Sequence, residues 1–161
     1  MVAPLFVREG IDSPQPIASL PGVMQHTRAS LREEVRQLAD LGVKGVILFG
    51  VPSVKDEIGS GAFDPNGIVQ LALQDLAGDV GDRMVLMADL CVDEYTSHGH
   101  CGVLDGPAGD PNTSVDNDAT LEVYGRIAVA QANAGAHMVA PSGMMDGQVG
   151  AIRAALDGAG H

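Results

Sequence analysis

The chain has 161 residues, and 45% of them are hydrophobic, enough apolar material for one domain with a real core. Aromatics are only 3% and tryptophan is absent, so that core is aliphatic; acids outnumber bases 21 to 9, and the net charge of −12 argues against nucleic acid or an anionic membrane surface as partner. Two cysteines do not make a disulfide framework, no basic start followed by an apolar stretch marks a signal peptide, and no apolar run approaches the ~20 residues that span a bilayer, so a cytoplasmic, reducing setting is expected.

Taken in order, four β-like runs alternate with four helical patterns. The expected strands are residues 2–7, 45–49, 84–88 and 137–140. The first helix, 31–41, has Ser30 as its expected N-cap with Glu33 completing a capping box, and Gly42 ends it. The second, about 66–76, has Asp64 as cap candidate and Pro65 at the first helical position. The third, about 119–134, is expected to be capped by Asp118 and stopped by Gly135; the fourth, about 147–156, follows Asp146.

Alternation of this kind predicts parallel strands with right-handed crossovers. The loops from helix to strand are short and the loops from strand to helix are long, which places the working face at the C-terminal ends of the strands. A complete (β/α)₈ barrel needs roughly 250 residues, so four units correspond to half of one. Periodicity alone fits a small open flavodoxin-like sheet equally well. Residues 105–118 read as a turn-rich loop.

The run from Asp89 to Gly102 holds both cysteines and two of the five histidines, directly after the third strand. Thiols and imidazoles crowded at a strand end point to a metal site or a reactive site. Asp89-Leu90-Cys91-Val92-Asp93-Glu94-Tyr95-Thr96-Ser97-His98-Gly99-His100-Cys101-Gly102 resembles the metal loop of the porphobilinogen synthase (5-aminolevulinate dehydratase) family. Further segments are similar to that family in the same order: Val2-Ala3-Pro4-Leu5-Phe6-Val7-Arg8-Glu9-Gly10, Leu20-Pro21-Gly22-Val23, Leu48-Phe49-Gly50-Val51-Pro52 with Lys55-Asp56 and Gly59-Ser60, Asn117-Asp118, Val139-Ala140-Pro141-Ser142 and Met144-Met145-Asp146-Gly147.

The resemblance implies an α/β fold, the first four βα units of a TIM (β/α)₈ barrel, with residues 1–161 as its N-terminal half. The family's N-terminal arm and second half are expected to be missing. The implied reaction is a lyase condensation of two 5-aminolevulinate molecules to porphobilinogen with loss of water, in tetrapyrrole synthesis. The implied partners are that substrate and further copies of the chain, the family being octameric, with no nucleic acid and no membrane.

For metal, the resemblance nominates Cys91, Asp93 and Cys101. Residues two apart on an extended segment share a side, so Cys91 and Asp93 can converge, with the loop returning Cys101. Two thiolates and a carboxylate suit zinc with one open position. Zinc-dependent members have a third cysteine where Asp93 stands, and a carboxylate weakens the preference for zinc. Others carry no thiol there and lack this zinc; the resemblance allows magnesium in the full-length family and implies no organic cofactor. The competing reading is an empty loop, with His98 and His100 orienting ligands or structuring the loop.

Asp89 and Ser142 are the catalytic candidates carried over from the family. Asp89 alternatively bonds loop amides, and Ser142 alternatively caps the last helix. Gly143 stands where the family has an acid, and His137 where it has an aspartate. The family's two Schiff-base lysines belong to its second half. Lys44 and Lys55 are the only lysines here, and both read as structural. The chain by itself is therefore expected to be inactive, the alternative being a non-catalytic, self-associating half-barrel. Half a barrel would leave its first and last strands unpaired outside, and inward residues such as Leu48, Phe49, Leu86 and Val139 uncovered.

Overall fold

The structure, a computed structural model, describes residues 1–161. In chain order its elements are β1 (Val2–Arg8), β2 (Gln15–Pro16), β3 (Met24–His26), α1 (Arg28–Asp40), β4 (Gly45–Val51), α2 (Ile68–Val80), β5 (Val85–Leu90), α3 (Asn117–Asn133), β6 (Met138–Pro141) and α4 (Gln148–Ala159). They build one sheet of order β2-β3-β1-β4-β5-β6. No helix is long and apolar enough to cross a membrane.

β1, β4, β5 and β6 are the four expected strands, and each pairs in parallel with the next. The helices cover one face of these strands, packing on Leu5, Val7, Val46, Leu48, Leu86, Ala88 and Leu90. A flavodoxin-like sheet would reorder its strands and carry helices on both faces. Sequential order with helices on one side is instead the wall of a (β/α)₈ barrel, in its first four units.

Strict alternation along each strand decides what lies on the other face. Leu48 and Leu86 are fully buried against the helices, and Val139 packs beside Ile152 and Leu156, so these three are not on the uncovered face. That face carries Phe6, Ile47, Phe49, Val85, Met87 and Met138, in registers that set Phe6 against Phe49 and Ile47 against Met87 and Met138. The two phenylalanine rings stack with centroids 5.2 Å apart.

The short hairpin of β2 and β3 was not foreseen. β3 runs parallel to β1 beside Phe6 and Val7, so the outer edge of β1 is covered at its C-terminal end only. Arg8 ties the hairpin down, donating to the Gln15 and Gln25 side chains at 3.2 and 2.9 Å.

Helix ends follow the expected chemistry with shifted registers. Thr27, not Ser30, caps α1: its hydroxyl oxygen accepts the Ser30 N–H at 3.0 Å, and Glu33 accepts from Gln37 instead of closing a capping box. Gly42, at φ +88°, completes a C-terminal motif in which its N–H reaches Ala39 and that of Val43 reaches Leu38. Asp64 caps a turn and not a helix. Its side chain takes the Asn66 N–H and its carbonyl takes that of Gly67, which delays α2 to Ile68. α3 is capped by Asp116, two residues ahead of the expected Asp118.

Candidate active site at the mouth of the half-barrel

The strands run parallel, so the long loops at residues 9–27, 52–67 and 91–116 and the shorter one at 142–147 gather at one end. Alternation with Val85 and Met87 places Asp89 on the uncovered face at the end of β5, beside Ala140 of β6. Burial raises the Asp89 carboxyl above the usual range; Ser142 opposes this by hydrogen bonding to it, and the charge of Asp93 adds to the rise. No loop amide reaches the Asp89 side chain; its backbone carbonyl accepts from Gln131 at 2.7 Å. Ser142 is exposed, its N–H points to the Leu90 carbonyl at 3.3 Å, and the α4 cap position belongs to Gly147. The two catalytic candidates thus stand together.

Cys91 follows directly and is buried; desolvation pushes its thiol up to about 11. Asp93 is pulled in two directions. Burial raises its carboxyl, but hydrogen bonds from Glu94 and Cys91 outweigh that and hold it below the ordinary value. Glu94 takes the complementary role, its carboxyl pushed up to about 8 by burial and by Asp93. Two adjacent carboxylates in a partly dry site retain one proton between them. Asp93 Oδ1 is buried without a hydrogen-bond partner.

Cys101 is half-buried on the return of the loop. Its side chain packs against the apolar cluster of α3 and α4, and its backbone carbonyl accepts the Tyr124 hydroxyl at 2.6 Å. No three Cys, His, Asp or Glu side chains converge tightly enough to hold a metal ion. Of the three nominated ligands, Cys91 and Asp93 interact directly, and Cys91 and Cys101 both lie near Tyr124.

His98 structures the loop. Its Nε2 lies 3.0 Å from the Glu57 carbonyl, and its Nδ1 accepts the His100 N–H at 3.1 Å, which assigns the proton to Nε2. Lys44 and Lys55 are both exposed, Lys44 at the far end of the sheet before β4 and Lys55 in the loop after it. Sequence reasoning overlooked Tyr124, Glu94 and Gln131. The available signal was one aromatic at helical spacing in the α3 stripe of Thr120, Tyr124, Ile127 and Gln131, all buried.

The delta-aminolevulinic acid dehydratase family model matches residues 1–161. The delta-aminolevulinic acid dehydratase of Mycobacterium leprae is 58% identical over 163 residues, covering 100% of this chain and 48% of the relative. That of Streptomyces coelicolor is 55% identical over 162 residues, covering 99% and 48%. Among solved structures, the delta-aminolevulinic acid dehydratase (porphobilinogen synthase) of Toxoplasma gondii, in complex with the reaction product porphobilinogen, superposes with a TM-score of 0.92 at 35% identity, over 99% of this chain and 44% of that one. The chain spans about half the length of the curated relatives it matches.

Proposed function

The chain belongs to the delta-aminolevulinic acid dehydratase family, and on that footing we propose that its 161 residues supply the N-terminal half of a site that condenses two 5-aminolevulinate molecules to porphobilinogen with loss of water. The observation that carries this is the pairing of Asp89 with Ser142 at the mouth. A carboxyl raised by burial is a stronger base than a free one, suited to moving protons between carbon and nitrogen centres. Ser142, exposed beside it, can fix the substrate or the acid by hydrogen bonding.

The condensation needs amines that capture the substrate ketones as Schiff bases. A lysine does this when desolvation lowers its pKa. Lys44 and Lys55 are solvent-exposed. In this reading the amines come from residues beyond these 161, and the chain alone does not turn over.

A porphobilinogen colour assay on the purified chain, with and without zinc, is expected to give no product. Supplying the second half of a family member as a separate polypeptide is expected to produce turnover that Asp89→Asn abolishes. Product from the chain alone, lost in Lys55→Ala, would overturn the reading and make Lys55 the nucleophile. Silence in the presence of a folded, bound second half would favour a non-catalytic half-barrel, to which the uncovered apolar face also points.

A further inference from the structure

Cys91, Cys101 and the loop after β6 share one neighbour, Tyr124 of α3. Its side chain is fully buried. Its hydroxyl donates to the Cys101 carbonyl at 2.6 Å and stands 3.7 Å from the Cys91 Sγ. A Cβ placed on Gly143 would lie 1.9 Å from that hydroxyl oxygen and 2.7 Å from two ring carbons. Gly143 directly follows Ser142. One phenol therefore touches the start of the β5 loop, its return at Cys101, and the β6 loop.

A buried tyrosine hydroxyl needs a partner, and this one is spent on a distant loop, not on its own helix. No backbone N–H competes for the Cys101 carbonyl. One turn earlier on α3, Thr120 accepts the Val103 N–H at 3.0 Å, so two side chains at helical spacing grip residues 101 and 103. Gly102 between them is equally constrained: a Cβ there would come within 2.8 Å of the Thr120 hydroxyl oxygen. Thr120 holds only that return strand of the loop. Tyr124 alone also reaches Cys91 and the β6 loop.

We propose that Tyr124 is a positioning residue that sets where Cys91, Cys101 and Ser142 stand at the mouth, and that the lack of a side chain at Gly143 is the space its ring requires. The idea rests on reading the mouth as the catalytic end, but its test needs no turnover, so the product assay and this experiment fail independently.

Tyr124→Phe keeps the ring and removes the hydroxyl. In the 161-residue chain, alkylation of Cys91 and Cys101 by iodoacetamide is followed by peptide mass, alongside the Gly102 amide resonance, which reports hydrogen bonding at the Cys101 carbonyl. The expected result is about a five-fold faster alkylation, the factor for one lost hydrogen bond, with a shifted Gly102 resonance and a retained cooperative thermal transition. Gly143→Ala enters from the opposite side with the hydroxyl intact. It is expected to raise the same reactivity by displacing the ring, which keeps the idea testable should the first variant fold poorly. Parental alkylation rates in both variants with an unmoved Gly102 resonance would overturn it. So would a uniform rise in reactivity that merely tracks loss of the thermal transition.

Discussion

Among the carboxylates, Glu94 is the one whose ionisation the fold resists most directly. Its carboxyl is pushed from 4.5 up to about 8, first by burial and then by Asp93. The folded chain thus keeps a proton that the unfolded chain releases. The associated stability is full below about pH 4.5 and is lost as pH rises through about 8. Asp93, held below its ordinary value, runs the opposite way, and its contribution is lost only as pH falls below the carboxylate range. The two windows do not overlap. Calorimetry between about pH 5 and 9 is expected to show the thermal midpoint of the parent falling more across that range than that of Glu94→Gln. A parent midpoint as level as the variant's would mean that both carboxylates ionise without cost. The crowd of thiols and carboxylates after β5 was legible because chemistry-bearing residue types sit there at short spacing. The hold of α3 on Cys101 was not. It depends on α3 lying over the loop and offering Tyr124 to a carbonyl 23 positions away in sequence, which no local pattern encodes.

Among elements, α1 and α2 are joined by more than their apolar seam. Arg28 forks onto Asp75 at 2.8 and 3.0 Å, and Arg32 and Arg36 both reach Asp79 at 2.6–2.8 Å. Asp79 is only 9% exposed, and its carboxyl is held far below the usual range, chiefly by Arg32. Both arginines remain about two-fifths exposed and can rehydrate when their partner goes. Asp79→Asn is therefore expected to cost about 1–2 kcal/mol, more than a surface pair and less than a stranded buried charge. Urea unfolding measures this, and a midpoint equal to the parent's would relegate the pair to decoration. The start of β6 has a double tie to β5: the Leu86 N–H donates to His137 Nδ1 at 3.0 Å while the His137 N–H returns to the Leu86 carbonyl. Strand and helix existence was readable from periodicity, but cap registers were not. Thr27 and Ser30 are both competent caps three residues apart, and the choice goes to the one that lets Leu31 and Val35 reach the core. The β2–β3 hairpin is too short to carry a period at all.

At the scale of the molecule, an apolar face and a net charge of −12 pull in opposite directions. The face carries the stacked Phe6 and Phe49 with Val85 and Met138, which are 39% and 52% exposed. The outer edge of β6 has no neighbour, and β1 is covered only beside Phe6 and Val7. Free edges and contiguous apolar surface favour association, and two such walls can complete one another by pairing β1 of each with β6 of the other. Like charge opposes the approach of two copies, but its reach shrinks to about 8 Å at physiological ionic strength, whereas the apolar attraction does not depend on that reach. Association of the isolated chain is therefore expected to grow with both protein and salt concentration. Light scattering across a dilution series, at low salt and again at high salt, separates the two terms. A rise in mass with concentration that steepens in salt is the expected result. A sharp monomer mass in high salt at every concentration, with cooperative unfolding, would mean that the uncovered face is stable in water unpaired and that its apolar attraction is too weak to bring two copies together.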